Sequence, residues 1–384
     1  MTCADVEDFR RRARARLPRF LFDYVDGGAW GEETLERNVA DFRRLAIRQR
    51  VMRDVSRVDL SATLFGQHFS MPVGLGPVGL AGMYARRGEV QAARAAEAAR
   101  VPFALSTLSL CGLEEVGAGT TRPFWFQLYM VKDRGFVREM IARAEAVGCT
   151  ALLFTVDLPV PAVRRRDLRS GLSGPRTLAS RLDWMWEVAR RPAWAWNVGL
   201  HGRPHACGNV APVMRTRATL RDYWAWVGAN FDAAVTWKDL DEIRAAWDGP
   251  LVIKGVLDVE DARAAVDTGA DGLVVSNHGG RQLDGAPSSI SVLPAIAEAV
   301  GGRTTLLMDG GVRSGTDVLK ALASGADGVL LGRAWAYALA ADGGRGVEAL
   351  LAQFRAELAG ALALAGRTSV KDLSKGDPVL VQTP

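Results

Sequence analysis

Eight short apolar runs recur along the chain with helix-like stretches between them, and this alternation limits the possible folds more than any other feature. The runs are MPVGLG (71–76), VPFALS (101–106), PFWFQL (123–128), ALLFTV (151–156), PLVIKG (250–255), GLVVSN (272–277), TTLLMD (304–309) and GVLLG (328–332). Most are continuous rather than alternating, the pattern of parallel strands covered on both faces. Helix-like segments such as 88–100, 133–148, 259–269 and 315–325 lie between them. Eight such units, ending in an alanine-rich helix near 346–365, predict an α/β fold of the (β/α)8 TIM-barrel type. A doubly wound open sheet shares the alternation and is the structural rival.

Barrels of this kind run past ~250 residues as one domain, so all 384 residues are read as a single domain, 1–384. An N-terminal helical cap over roughly 5–40 precedes a barrel at about 71–365. Strand starts are regular except between the fourth and fifth runs, where the gap is about 100 residues. The insertion, about 165–237, follows strand four and projects from the C-terminal face, where barrel enzymes keep their sites. Its window 176–226 holds eight arginines against Asp183, Glu187 and Asp222, and six of the eleven tryptophans.

Apolar residues at 48% and charged ones at 24% describe a globular chain and exclude a disordered one. Cys3, Cys111, Cys149 and Cys207 include no CxxC pair, which argues against a zinc site or a disulfide framework and suits a reducing cytoplasm. No metal is expected. No run approaches the ~18 apolar residues of a membrane-spanning helix. The arginine-rich N-terminus lacks an apolar core, and Asp5, Glu7 and Asp8 set it apart from a transit peptide.

If the barrel closes, the polar residues ending each run converge. Ser106 ends the second, Gln127 and Tyr129 the third, Thr155 and Asp157 the fourth, and Lys254 the fifth. Ser276, Asn277 and His278 end the sixth, Asp309 the seventh, and Arg333 follows the eighth. Glycines in MDGGVRSG (308–315) and LGRAW (331–335) leave backbone N–H groups free to cradle a phosphate. Arg313 and Arg333 would add charged forks, at the place where barrels commonly bind phosphate. In SNHGGRQLDG (276–285), His278 is a candidate general base and Arg281 a carboxylate receptor. Together they point to proton removal from a small organic acid. Asp157 is suited to hold His278 as an imidazolium. Lys254 leaves a second chemistry open, a Schiff base of aldolase type, and the net charge of +5 leaves a nucleic-acid-binding reading.

SNHGGRQLDG, DGGVR (309–313), FTVD (154–157), WFQLY (125–129) and FDYVDGGA (22–29) together resemble the FMN-dependent 2-hydroxy-acid oxidase and dehydrogenase family, over about residues 5–370. MYARRGEVQAA (83–93), SGLSGP (170–175) and the insertion are most similar to its bacterial quinone-linked L-lactate dehydrogenase branch. The resemblance implies FMN as cofactor and His278 as base, paired with Asp157. It implies Arg281, Arg164 and Tyr24 as carboxylate receptors, with Tyr129 near the substrate hydroxyl. Pro77, Val78 and Gly79 would line the flavin face by their backbone. Ser106, Gln127, Thr155 and Ser276 would contact the flavin, with Lys254 at its N1–O2 edge in place of the Schiff base. Asp309, Gly311, Arg313, Gly332 and Arg333 would hold the ribityl chain and phosphate. Many oxidase members carry alanine where this chain has Gly79.

The implied reaction is two-electron oxidation of an L-2-hydroxy acid, L-lactate foremost, to the 2-oxo acid, with a quinone as acceptor. The alternative is a soluble oxidase or dehydrogenase for mandelate, glycolate or a longer acid, using oxygen or another acceptor. The family also implies a homotetramer, and no nucleic-acid partner is expected. Indole rings and arginines of the insertion suit peripheral attachment to the inner face of the cell membrane. On this reading residues 177–215 are dispensable for the chemistry.

Overall fold

The computed structural model describes residues 3–173, 178–203, 205–213, 220–374 and 379–382. Eight parallel strands form the centre: β1 (Val73–Leu75), β2 (Ala104–Ser106), β3 (Trp125–Tyr129), β4 (Ala151–Thr155), β5 (Leu251–Val256), β6 (Gly272–Val275), β7 (Thr305–Asp309) and β8 (Gly328–Leu331). They pair in sequence order, and β8 pairs with β1. A parallel bridge between Leu75 and Phe103 joins β1 to the approach of β2. That contact closes the ring and removes the open-sheet rival.

Side chains alternate across a strand, so every second residue points into the barrel. Ala104, Trp125, Leu153, Val252, Val274, Leu307 and Leu330 form one interior cluster. Two residues further along the same faces stand Ser106, Gln127, Thr155, Lys254, Ser276, Asp309 and Gly332. The interior is therefore apolar at the bottom and polar at the top. A hairpin, Ala62–Leu64 with Gln67–Phe69, plugs the bottom, its Phe65 and Phe69 edge-on to Trp125 at 5.5 and 6.0 Å.

The cap comprises α1 (Val6–Arg16), α2 (Arg19–Asp26) and α3 (Glu33–Arg43). In α1, Asp5 caps the N-terminus through the Asp8 amide, and Arg14 and Arg16 sit in the last turn, complementing the helix dipole. Val6, Phe9 and Ala13 are buried, so the arginine run is the solvated face of a packed helix. The buried carboxylate of Asp26 ties the cap down: it accepts from Arg10 at 2.5 Å, from Arg166 at 2.6 Å and from the Tyr337 hydroxyl at 2.8 Å. The alanine-rich last helix begins earlier than the sequence implies, spanning Arg333–Leu364 with a break at Asp342 and Gly343.

The insertion contains helices Leu178–Ala189 and Leu220–Asn230, and returns to the barrel through a bridge between Val131 and Phe231. Its tryptophans divide. Trp184 stacks on Phe20 at 3.8 Å, Trp194 donates from Nε1 to the Met83 carbonyl at 2.8 Å, and Trp226 packs edge-on to Phe136 and Phe231. Trp186 and Trp196 are exposed. Gly174, Pro175, Arg176, Arg215 and Arg217, with the side chains of Arg221 and Trp224, lie outside the described residues.

The expectation that 177–215 is dispensable needs correction, because this stretch is stitched to the β2 tip. Asn209 is fully buried. It donates from Nδ2 to the Ser106 carbonyl at 3.2 Å and to Ser109 Oγ at 3.0 Å, and accepts from the Leu113 amide at 2.8 Å.

Candidate active site

The polar upper layer opens into a cavity of about 1160 Å³, counted with its mouth, between the barrel top and the cap. His278 enters it from the β6 tip on an unusual backbone. His278, Gly279 and Gly280 all have left-handed φ, +57°, +66° and +72°. For a histidine this costs about 1–2 kcal/mol. Asn277 holds the turn: its Oδ1 accepts from the Gly280 amide at 3.0 Å and from Asn38 Nδ2 at 2.9 Å. Nδ1 of His278 lies 2.8 Å from Asp157 Oδ1, so a proton on Nδ1 is held there and Nε2 is the nitrogen left with a lone pair. Gly255, at φ +110°, makes room; a Cβ there would stand 2.6 Å from Asp157 Cβ. Burial alone would raise the Asp157 pKa, but His278 and Lys254 outweigh it and hold the carboxyl below its ordinary value.

Opposite His278, two guanidiniums flank Tyr24. The Arg281 Cζ is 4.7 Å and the Arg164 Cζ 5.7 Å from the centre of its ring. Arg281 is anchored through Nη1 to the carbonyls of Tyr24 at 2.6 Å and Gly27 at 2.9 Å, leaving its other edge for a ligand. Arg164 has a buried Nε with no hydrogen-bond partner, and its nearest carboxylate, Asp167, is 3.9 Å away. Burial and repulsion from Arg281 lower the Arg164 pKa. Two close, under-neutralised cations favour an anion between them.

Along the barrel mouth runs a row of polar groups. Ser106 Oγ donates to Gln127 Oε1 at 3.0 Å, which turns Gln127 Nε2 away, and that buried donor has no partner. Thr155 Oγ1 and Asp309 Oδ1 are likewise buried without one. Lys254 Nζ contacts Asp309 Oδ2 at 2.8 Å and donates to Ser276 Oγ at 3.0 Å. Burial disfavours its charge, but Asp309 and Asp157 raise its pKa above the ordinary value. Such a mixed row of orphaned donors and acceptors beside a fixed cation fits the edge of a flat heteroaromatic ring bearing both N–H and C=O groups. That is the fit FMN requires.

At the far end Gly310 and Gly311 have φ of +95° and +85°, and a Cβ on Gly311 would fall 2.0 Å from the Asn38 carbonyl oxygen. Arg313 and Arg333 line the cavity here. Arg333 donates to the carbonyls of Val25, Gly279 and Gly27 at 3.1, 2.7 and 2.7 Å, tying the cap to the His278 turn. Burial beside Arg281 pushes its pKa down to about 9.

Of the residues singled out from sequence, Tyr24, Pro77, Val78, Gly79, Ser106, Tyr129, Thr155, Arg164, Lys254, His278 and Arg281 line the cavity, as do Asp309, Gly311, Arg313, Gly332 and Arg333. Asp157, Gln127 and Ser276 stand one layer behind, bonded to His278, Ser106 and Lys254 respectively. Sequence reasoning missed Tyr84, Leu108, Leu158 and Val227, which form apolar wall. Val227 comes from the insertion's return helix, and no local pattern announces it.

A family model described as FMN-dependent dehydrogenase matches residues 13–379. The chain is 58% identical over 375 residues to an L-lactate dehydrogenase of Caulobacter sp. (strain K31), covering 98% of each. It is 56% identical over 374 residues to an L-lactate dehydrogenase of Xanthomonas oryzae pv. oryzae (strain PXO99A), covering 97% of this chain and 96% of that one. Among solved structures it matches the monotopic membrane protein (S)-mandelate dehydrogenase with a TM-score of 0.92 at 34% identity over all of both chains.

Proposed function

The chain belongs to the FMN-dependent dehydrogenase family, and from that premise we propose that it oxidises L-lactate to pyruvate and passes the electrons to a membrane-dissolved quinone. One arrangement carries the reading: His278 Nε2, the open edge of Arg281 and the unpartnered Nε of Arg164 face one cavity beside the orphaned row at the barrel mouth. The substrate carboxylate sits between Arg281 and Arg164, against Tyr24. That grip places the C2 hydroxyl toward Tyr129 and His278. His278 takes a proton from the substrate at Nε2, and the ionised Asp157 on Nδ1 stabilises the resulting imidazolium. FMN, when bound, supplies the two-electron sink. Gln127, Thr155, Ser106 and Ser276 would hold its ring, and the charge of Lys254 would favour its reduced, anionic form. Asp309, Gly311, Arg313, Gly332 and Arg333 would hold its ribityl chain and phosphate, with the backbone of Pro77, Val78 and Gly79 at the ring's face.

Lactate is preferred to mandelate as substrate because the L-lactate dehydrogenases match at 56–59% identity and the mandelate enzymes at 34–38%. Reduction of the bound flavin without oxygen by lactate, mandelate, glycolate and longer acids tests this. Lactate should give the highest second-order rate; faster reduction by mandelate would overturn the assignment.

Attachment to the inner face of the cell membrane is supported by one surface. Leu178, Leu182, Met185 and Trp186 are 75, 58, 68 and 61% exposed, and their spacing of four, three and one puts them on one face of a helix. Among the described residues no helix is long and apolar enough to cross a membrane. A face-down, peripheral contact fits both facts. The holoenzyme should co-sediment with anionic liposomes at low salt, and Leu182→Ser with Met185→Ser and Trp186→Ser should abolish this while lactate still bleaches the flavin. The family likeness adds a homotetramer, which sedimentation velocity would test.

A further inference from the structure

Tyr84 stands between two cavities. Its side chain lines the active-site cavity and also a groove of about 1400 Å³ that opens to solvent. It is 3% exposed, and its hydroxyl donates to the Gly79 carbonyl at 3.4 Å, on the loop assigned to the flavin face. The groove lies between the end of α1, the insertion stretch from Arg190 to Val198, and the break in the last helix at Asp342 and Gly343. It is lined by Arg16, Arg94, Arg190, Arg191 and Arg345 together with Asp342 and Glu348. Arg16, Arg94 and Arg191 each spend an N–H on a backbone carbonyl, of Ala341, Gly119 and Leu17, and Arg345 pairs with Asp342 at 3.3 Å, which leaves further N–H groups for a ligand. Trp194 gives it a flat apolar side, fixed by the bond from Nε1 to the Met83 carbonyl. The segment forming one bank also bears the exposed Met185, Trp186 and Trp196, and the Arg190 guanidinium lies over the Trp186 ring at 5.6 Å. The groove thus opens beside the surface assigned to the membrane.

We propose that this groove is the quinone site, so that hydroxy acid and quinone occupy separate cavities on either side of Tyr84. This rests on the quinone-linked reading above. A quinone is a flat ring with two carbonyl oxygens and an apolar tail. Trp194 and Tyr84 offer ring contact, the guanidiniums donate to the carbonyls, and the tail leaves toward the exposed apolar face. A third cavity, beside Tyr129 and Thr155, is lined by Phe231, Trp237, Asp232 and Asp261 and, among the described residues, by no lysine or arginine, so it offers no positive charge to a carbonyl taking up electrons. In the proposed step the quinone takes up the two electrons that substrate oxidation left on the flavin. It also takes up two protons, one carried by the reduced ring and one from solvent, and leaves as the quinol.

Two experiments test this. In the first, substrate-reduced holoenzyme is mixed without oxygen with a short-tailed naphthoquinone, with and without saturating oxalate, a planar dianion matched to Arg164 and Arg281. Reoxidation should proceed with oxalate bound; competitive block by oxalate would place both reactants in one cavity and overturn the proposal. In the second, Ala193→Phe fills the groove from an exposed position. Quenching of tryptophan fluorescence in the oxidised holoenzyme should then need at least ~10-fold more naphthoquinone, about 1.4 kcal/mol, with flavin reduction by lactate unchanged. Unchanged quenching and reoxidation would overturn the proposal while leaving the quinone-linked reading intact. Failure of the wild-type reduced enzyme to react with any quinone, with rapid reaction on oxygen, would remove both.

Discussion

Asp157→Asn isolates one charge at the proposed catalytic centre. The carboxylate touches His278 Nδ1 at 2.8 Å, is buried, and is kept ionised by His278 and Lys254. When His278 takes the substrate proton, the imidazolium and Asp157 become an ion pair. With charge centres ~4 Å apart and an effective dielectric of ~20, the attraction is about 4 kcal/mol. Asparagine keeps the shape and loses the charge, and its amide can also present N–H to Nδ1 and select the wrong tautomer. Lys254 would then repel the imidazolium with less to offset it. A loss of about 3–4 kcal/mol corresponds to flavin reduction slower by about 10²- to 10³-fold. The assay is anaerobic rapid mixing with L-lactate, following the loss of flavin absorbance, with FMN content and oxalate affinity measured as controls. Reduction at close to the wild-type rate in a variant that retains both would refute the ion-pair argument and leave Asp157 an orienting group only.

Arg281→Lys should raise the KM for lactate and slow flavin reduction, since an ammonium cannot both hold the Tyr24 and Gly27 carbonyls and offer a two-pronged edge; unchanged steady-state kinetics would place the carboxylate elsewhere. Asp26 has its carboxyl held at about 2: burial opposes its charge, but Arg10, Tyr337 and Arg166 win. A depressed carboxyl contributes stability above its unfolded pKa of about 4 and loses it as the pH falls toward 2. Asp26→Asn should therefore lower stability by about 2 kcal/mol at pH 7, and by much less near pH 2, as read from urea midpoints. Asn209→Ala should cost about 1–3 kcal/mol, chiefly by leaving the buried Leu113 amide without its acceptor, since the Ser106 carbonyl keeps the Ser109 amide and Ser109 Oγ keeps the Cys111 carbonyl. It should also weaken FMN binding; an unaltered urea midpoint and FMN affinity would show that its bonds to the β2 tip hold nothing.

The barrel was legible because its strands obey two local rules at once. Most runs are apolar on both faces, and in β2 through β7 the inward face turns polar at the strand tip, as with Val252 and Lys254 or Leu307 and Asp309. One local signal points the wrong way. Gly74, Gly76 and Gly79 have the spacing of a dinucleotide-binding turn, which belongs to the open-sheet rival. In the structure, a Cβ on Gly74 would meet Leu330 Cδ2 at 2.9 Å and one on Gly76 would meet the Leu331 carbonyl oxygen at 3.1 Å. Those glycines serve close strand packing at the closure of the ring. Tyr84, Val227 and Asn209 escaped notice for a different reason: their roles come from contacts across the fold, such as Asn209 with Ser106, and neither periodicity nor residue type encodes a distance of that kind.

Composition places six tryptophans among arginines in the insertion but does not sort them, because an indole buries or faces out according to what lies opposite it. Phe20 and the Met83 carbonyl claim Trp184 and Trp194, whereas Trp186 sits on the opposite face of the same helix as Trp184 and stays exposed. The segment therefore has an inner face bonded to cap and barrel and an outer face free to meet a lipid surface. Excising it removes both at once, including the Asn209 clamp on the β2 tip, so a loss of activity after such a deletion says nothing about membrane attachment. Replacing only outward side chains leaves Trp184, Trp194 and Asn209 in place, and a change in liposome binding can then be read as a property of the surface alone.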